Sequence, residues 1–171
     1  MQTLSKRDVD SFRLQGYHIA RGVFGPDEIA RLRTGFAHIQ ELAARTDLCE
    51  EVLKGHGDVH IHLQPPEPLS GPAAVQYLRK VQWPSLIHPA FEEIRTNAKF
   101  PALLEPLIGT SLKQYINQIN FKMPGSDIAF PWHQDSHYYD EPPHGELVGY
   151  IEAAHIVTVW VSLVDETVAN G

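Results

Sequence analysis

Residues 130–139 have the sequence FPWHQDSHYY, and the interpretation of the chain starts from the pair His133 and Asp135 within them. We predict a short strand at 130–133, and because side chains alternate along a strand, two residues spaced in this way project to one face. An imidazole nitrogen beside a carboxylate oxygen supplies two of the three protein ligands of a non-haem iron site. A His-x-Asp pair also occurs by chance in many solvated loops, so its meaning depends on the rest of the sequence.

Length and composition restrict the class of protein. The chain has 171 residues, enough for one domain with a buried core. A net charge of −7 argues against a surface that follows nucleic-acid phosphates. No uncharged stretch approaches the roughly 20 residues that cross a bilayer, so we expect no membrane span. The single Cys49 excludes an internal disulfide and fits the reducing cytoplasm.

Local signals predict helices first and strands later. Ser5 to Asp8 resembles a capping box that opens a helix to about Leu14, with Gly16 as its stop, and a second helix begins near Pro26. The other predicted elements are a strand at 17–20, helices at 89–97 and 101–108, strands at 112–122 and 155–163, and a loop over most of 55–72. This order indicates an α+β fold or a β-barrel decorated with helices.

Several blocks, in order, resemble the phytanoyl-CoA dioxygenase family of Fe(II)- and 2-oxoglutarate-dependent oxygenases. The blocks that carry the resemblance are QGY at 15–17 with GVF at 22–24, LRKVQWP at 78–84, QINFK at 118–122, FPWHQDSHYY at 130–139, and VTVWVSLVD at 157–165 followed by NG at 170–171. The resemblance implies one domain over residues 1–171. Its fold would be a double-stranded β-helix, a cupin-like jelly-roll barrel with N-terminal helices.

The resemblance also assigns ligand roles. His133 and Asp135 match the first two iron ligands of the family. Lys80 matches a lysine that contacts 2-oxoglutarate, and a cation suits a dicarboxylate. For any single lysine, a solvated surface position is the common alternative.

Three further residues are candidate walls of the 2-oxoglutarate pocket. Trp160 matches a tryptophan that lines this pocket in the family. Ile119 is predicted on the inward face of its strand with Asn117 in phase, so both are candidate pocket walls. Ordinary core packing is the alternative for all three.

Part of the family pattern is missing from the sequence. A Gly-Ser-His-like segment with the third iron ligand, and an arginine for the far carboxylate of 2-oxoglutarate, would follow Gly171, so we expect the chain to lack the C-terminal part of the barrel. His137, His144 and His155 are not convincing replacements by their positions.

The expected activity is that of an oxidoreductase. A dioxygenase of this family would use Fe(II), 2-oxoglutarate and O2 to hydroxylate a small-molecule or acyl-type substrate, with release of succinate and CO2. One alternative is an inactive fragment or binding module of the same fold. Another is a small metal-dependent hydrolase that uses His60 and His62, although the surrounding Gly and Pro residues predict a loop there.

Overall fold

The computed structural model describes residues 2–45, 75, 78–124, 131–133, 135 and 156–169, together with the backbone of 60–63. Their contacts divide the chain into two compact units. The first unit comprises residues 1–20, 98–112 and 129–171, and the second comprises 21–97 and 113–128. Among the described residues, no helix is long and apolar enough to cross a membrane.

The first unit contains helix α1, Lys6–Gln15, which begins and ends as its sequence predicts. The backbone N–H of Asp8 donates to the Ser5 hydroxyl oxygen at 3.3 Å, and the N–H of Ser5 donates to the Asp8 carboxylate at 2.9 Å. The capping box is therefore confirmed. Gly16 ends the helix in the left-handed region at φ 82°, where glycine avoids the strain that a side chain would add.

The second unit is organised around helix α2, Pro26–Ala44. Pro26 occupies the first turn, and the backbone N–H of Gly25 donates to the Glu28 carboxylate at 2.7 Å. Leu32, Ile39 and Ala43 are buried on one side of the helix, as their helical spacing predicts. The second predicted helix is therefore confirmed.

The second unit also holds a three-stranded antiparallel sheet. Its strands are β1, His60–Leu63, β2, Leu78–Gln82, and β3, Gln118–Asn120, in the order β1-β2-β3. Val81 in the central strand pairs with Ile61 on one side and Ile119 on the other. A short 3-10 helix, Pro84–Leu86, and helix α3, Pro89–Arg95, follow β2.

An aromatic cluster joins the helices of the second unit to the end of the sheet. The Phe36 ring on α2 lies 5.8 Å from the Phe91 ring on α3 and 5.2 Å from the Phe121 ring just after β3. Phe121 follows Ile119 with the alternation of a strand, so both lie on the same side of the chain. Val81 is fully buried and Ile119 is 8% exposed, which identifies this side as the core.

Two of the later helices match their predictions, whereas most predicted strands do not. Helix α3 and helix α4, Lys99–Ile108 in the first unit, confirm the two helical stretches. No strand forms at residues 17–20, 131–133 and 156–162. The strand predicted at 112–122 is reduced to β3. Strand β1 lies inside the segment that was predicted to be mostly loop. Alternating residues can form a strand only where a neighbour supplies backbone partners. Among the described residues, only β1, β2 and β3 have such partners. The α+β class is confirmed.

The close approach of α2 and α3 gives a first prediction. A Cβ atom at Gly35 would lie 2.8 Å from ring atoms of the buried Phe91. Alanine is favoured over glycine inside a helix by about 1 kcal/mol. We nevertheless expect Gly35→Ala to lower the free energy of unfolding by about 1–3 kcal/mol through overpacking. Denaturant unfolding measures the change, and combining it with Phe91→Leu should recover part of the loss. A stabilised Gly35→Ala variant would contradict this packing.

The α1 capping box gives a second prediction. Hydrogen bonds from the Ser5 hydroxyl and backbone hold the pKa of Asp8 below its usual value. A carboxyl group whose pKa is lowered in the folded state stabilises the fold at pH values above its ordinary pKa. This stability is lost as the pH falls through the lowered pKa. In Ser5→Ala we expect the Asp8 pKa to rise and this acid sensitivity to shrink. Ser5→Thr, which keeps the hydroxyl, serves as the control, and carboxyl NMR titration is the measurement. An unchanged Asp8 pKa in Ser5→Ala would refute the assignment.

Candidate functional site

The central feature of the site is the approach of two side chains in the first unit. Nε2 of His133 lies 3.4 Å from Oδ1 of Asp135. Their side chains are 37% and 44% exposed, so both remain accessible from solvent. The spacing of one residue thus brings a nitrogen and an oxygen ligand together, as the sequence predicts, although the backbone at 131–133 is not part of a described sheet.

A backbone contact selects between the two neutral tautomers of His133. Its Nδ1 lies 2.8 Å from the carbonyl oxygen of Pro131. A carbonyl can only accept a hydrogen bond, so Nδ1 carries the hydrogen. In the neutral ring Nε2 then carries the lone pair, and it is the nitrogen that faces Asp135. Metal-bound histidines commonly use this arrangement, in which a second hydrogen bond sets the tautomer and the ring orientation.

A hydroxyl group fixes one oxygen of Asp135. The Thr158 hydroxyl donates to Oδ2 of Asp135 at 2.8 Å, across 23 positions of sequence. Oδ2 is therefore engaged, and Oδ1 is the oxygen directed toward His133. The sequence alone does not point to Thr158, because a contact between residues so far apart in the chain leaves no local pattern.

The donor set fits an iron ion at two positions. Two neighbouring ligands of an octahedral ion, each about 2.1 Å from it, lie about 3 Å apart. The observed 3.4 Å between Nε2 and Oδ1 is close to this separation. One imidazole and one carboxylate are also two members of the facial triad used by non-haem Fe(II) oxygenases.

No third ligand is found in the part of the chain that the structure describes. Within that part, no group of three His, Cys, Asp or Glu side chains comes close enough to hold a metal ion. His137, His144 and His155 lie outside the described residues. The same holds for the side chains of His60 and His62, whose backbone forms part of β1.

Trp160 belongs to the same chain segment as Thr158. Its indole N–H donates to Oε1 of Glu166 at 2.6 Å, and the residue is 59% exposed. A hydrogen-bonded indole is held in one orientation while its apolar ring stays accessible. The Trp160 ring is therefore exposed to solvent and is not packed in a core.

Lys80 lies in the second unit, at the centre of the three-stranded sheet. The register places it opposite His62 on β1 and opposite Asn120 on β3. Gln82, two residues further along β2, pairs with Gln118. Residues that pair across strands, and residues two apart along a strand, share a face. Lys80 therefore shares its face with the amide residues Gln82, Gln118 and Asn120, which no sequence motif indicates.

Ile119 and Asn117 are placed differently from Lys80. Ile119 pairs with Val81 on the buried face, so the structure does not bring Ile119 and Lys80 to one face of the sheet. The backbone carbonyl of Asn117 accepts a hydrogen bond from the Trp83 N–H at 2.7 Å. Its side-chain Oδ1 is buried and has no hydrogen-bond partner among the described residues.

Comparison with known proteins identifies the family. The family model of phytanoyl-CoA dioxygenase matches residues 12–171, which is nearly the whole chain. The protein therefore belongs to the phytanoyl-CoA dioxygenase family. Comparisons with curated proteins and with solved structures found no match. The family assignment that the sequence blocks suggested is confirmed.

The two faces of the sheet give a third prediction. Ile119→Ala should lower the free energy of unfolding by about 2–5 kcal/mol, because it empties space in a packed core. Lys80→Ala, on the other face, should change it by no more than about 0.5 kcal/mol. Denaturant unfolding of both variants is the measurement. A neutral Ile119→Ala would contradict the core position and favour a role for Ile119 in a pocket wall.

Proposed function

We propose that the protein is an Fe(II)- and 2-oxoglutarate-dependent dioxygenase that hydroxylates a small-molecule or acyl-type substrate and releases succinate and CO2. Membership of the phytanoyl-CoA dioxygenase family supports this class of reaction. The observation that carries the proposal is the approach of His133 Nε2 to Asp135 Oδ1, with each side chain fixed by a further hydrogen bond.

In this proposal His133 and Asp135 hold the metal ion. The imidazole contributes a neutral nitrogen and the carboxylate contributes an anionic oxygen, a combination typical of Fe(II) sites that keep open positions. When bound, iron and 2-oxoglutarate would supply the activation of O2, while the protein supplies placement and exclusion of water.

Lys80, Trp160 and Asn117 are the residues that we propose to contact 2-oxoglutarate. Lys80 provides a cation for a carboxylate, and a charge-assisted hydrogen bond of this kind is among the stronger polar contacts. Trp160 provides an accessible apolar ring whose orientation is set by Glu166. Asn117 and Ile119 are the two candidate pocket walls that the sequence predicts. Of these two, Asn117 keeps a polar atom without a partner among the described residues, and Ile119 is fixed in the core.

We also propose which type of α+β fold the chain adopts. A three-stranded antiparallel sheet with helices packed near one end, in a chain of this family, fits part of a double-stranded β-helix, the cupin-like jelly-roll. We propose that both compact units belong to one such domain, because the family match extends from residue 12 to residue 171. The cytoplasm is the proposed compartment, as the single Cys49 suggested.

Charge bears on the choice of substrate. An acyl-CoA carries phosphates that favour a basic surface, whereas this chain has a net charge of −7. A small metabolite without a CoA group fits this charge better. We therefore propose a small-molecule substrate in preference to a CoA thioester.

A fourth prediction tests the proposal directly. Anaerobic addition of Fe(II) and then 2-oxoglutarate should produce the weak visible charge-transfer band of the chelated metal. His133→Ala and Asp135→Ala should each abolish it, because each removes a metal ligand. Lys80→Ala should keep metal binding but raise the apparent Kd for 2-oxoglutarate by about tenfold, the effect of losing one charge-assisted hydrogen bond.

The control for Lys80→Ala is Lys113→Ala, which removes an exposed lysine of the same unit and should leave the titration unchanged. Succinate formation under O2 is the second measurement. A band without succinate would indicate a binding module of this fold instead of an enzyme. Absence of both in the wild-type chain would refute the proposed function for it.

A further inference from the structure

We infer that Thr158 is a positioning residue for Asp135, holding the carboxylate so that only Oδ1 is presented to the metal ion. This inference rests on the proposed function, because it assumes that the His133–Asp135 pair holds a metal. Its basis is the 2.8 Å hydrogen bond from the Thr158 hydroxyl to Oδ2 of Asp135.

The carboxylate needs such a partner because its own torsion does not select one oxygen. Rotation of an aspartate carboxylate about its last side-chain bond is broad and roughly two-fold. Either oxygen could then face the metal, or both could bind it together. A hydroxyl that donates to Oδ2 favours one orientation of the carboxylate and directs Oδ1 toward His133 Nε2, 3.4 Å away.

Restricting Asp135 to one bound oxygen preserves open positions around the ion. A facial triad of two histidines and one carboxylate leaves three positions of an octahedron for other ligands. A carboxylate that bound the ion through both oxygens would occupy one of these three open positions. The Thr158 hydroxyl therefore favours the coordination that a bidentate cosubstrate and O2 require.

Threonine is suited to this task. Branching at Cβ restricts its χ1 torsion, so a threonine hydroxyl is held more firmly than a serine hydroxyl on the same backbone. Thr158 also lies two residues before Trp160, whose indole is bonded to Glu166. The segment 156–169 thus carries both the group that orients Asp135 and the proposed wall of the cosubstrate pocket.

The experiment compares three variants of the chain using Co(II), a redox-stable probe of the iron site. Thr158→Val keeps the shape of the side chain and removes the hydroxyl. Thr158→Ser keeps the hydroxyl and removes the methyl group. Ser162→Ala removes an exposed hydroxyl from the same segment and is the matched control. Calorimetry gives the Kd for Co(II), and the visible spectrum reports the coordination of the bound ion.

Loss of a group that orients a metal ligand typically weakens metal binding by about 10–100-fold. Because Thr158 is exposed, we expect the lower end, a rise in Kd of about tenfold for Thr158→Val with an altered Co(II) spectrum. Thr158→Ser and Ser162→Ala should retain the wild-type spectrum and an affinity close to wild type. The thermal unfolding midpoint of all three should match wild type, which separates positioning from folding.

Three outcomes overturn the inference. If Thr158→Val binds Co(II) with the wild-type affinity and spectrum, Thr158 does not position Asp135, while the proposed metal site stands. If Thr158→Ser loses as much affinity as Thr158→Val, a retained hydroxyl does not preserve the site, and the assignment of the effect to the hydroxyl fails. If the wild-type chain binds no Co(II), the proposed site and the inference fail together. Calorimetry and the spectrum of the wild-type chain separate this outcome from the first one, in which the wild-type chain does bind Co(II).

Discussion

The contact of the Phe36 ring with Phe91 and Phe121 decides which face of the sheet is core. It connects α2, α3 and the end of β3, and each ring pair lies within 6 Å. Aromatic pairs at this separation bury large apolar areas and prefer tilted or edge-on arrangements, as observed here. Because Phe121 lies in phase with Ile119, the same contact commits Ile119 and Val81 to the interior. Lys80 and Asn120 are consequently left on the opposite face.

The helices follow from local sequence signals, whereas the position of Ile119 follows from this packing of the core. The cap of α1 depends on Ser5 and Asp8, which are three residues apart, and a signal of that kind is complete within a short window. The placement of Ile119 depends on its pairing with Val81, far away in the chain. Alternation placed Ile119 on the inward face of β3 but could not tell whether that face lines a pocket or packs in the core. Strand register, set by distant partners, made that choice.

The pair of His133 and Asp135 shows the same division between local and distant information. The positions of His133 and Asp135, and the Pro131 carbonyl that fixes the histidine tautomer, all fall within five residues of sequence, and the pair could be predicted. The orientation of Asp135 depends on Thr158, which no pattern near the pair reveals. The described parts of the two strands predicted at 130–133 and 155–163, residues 131–133 and 156–163, form no strand for a related reason. Their apolar spacing is local, whereas backbone pairing requires a neighbour.

The hydrogen bonds at the candidate site contribute less to the stability of the fold than the apolar contacts of the core do. A typical hydrogen bond contributes only about 0.5–1.5 kcal/mol net to stability, because water competes for the same groups. His133, Asp135 and Thr158 are at least partly exposed, so the bonds at this pair add little to the stability of the first unit. Their directionality is retained even where their net energy is small. These three surface groups therefore add little to folding, and their defined hydrogen-bond geometry suits the proposed metal site, where ligands must be held in place before the ion binds.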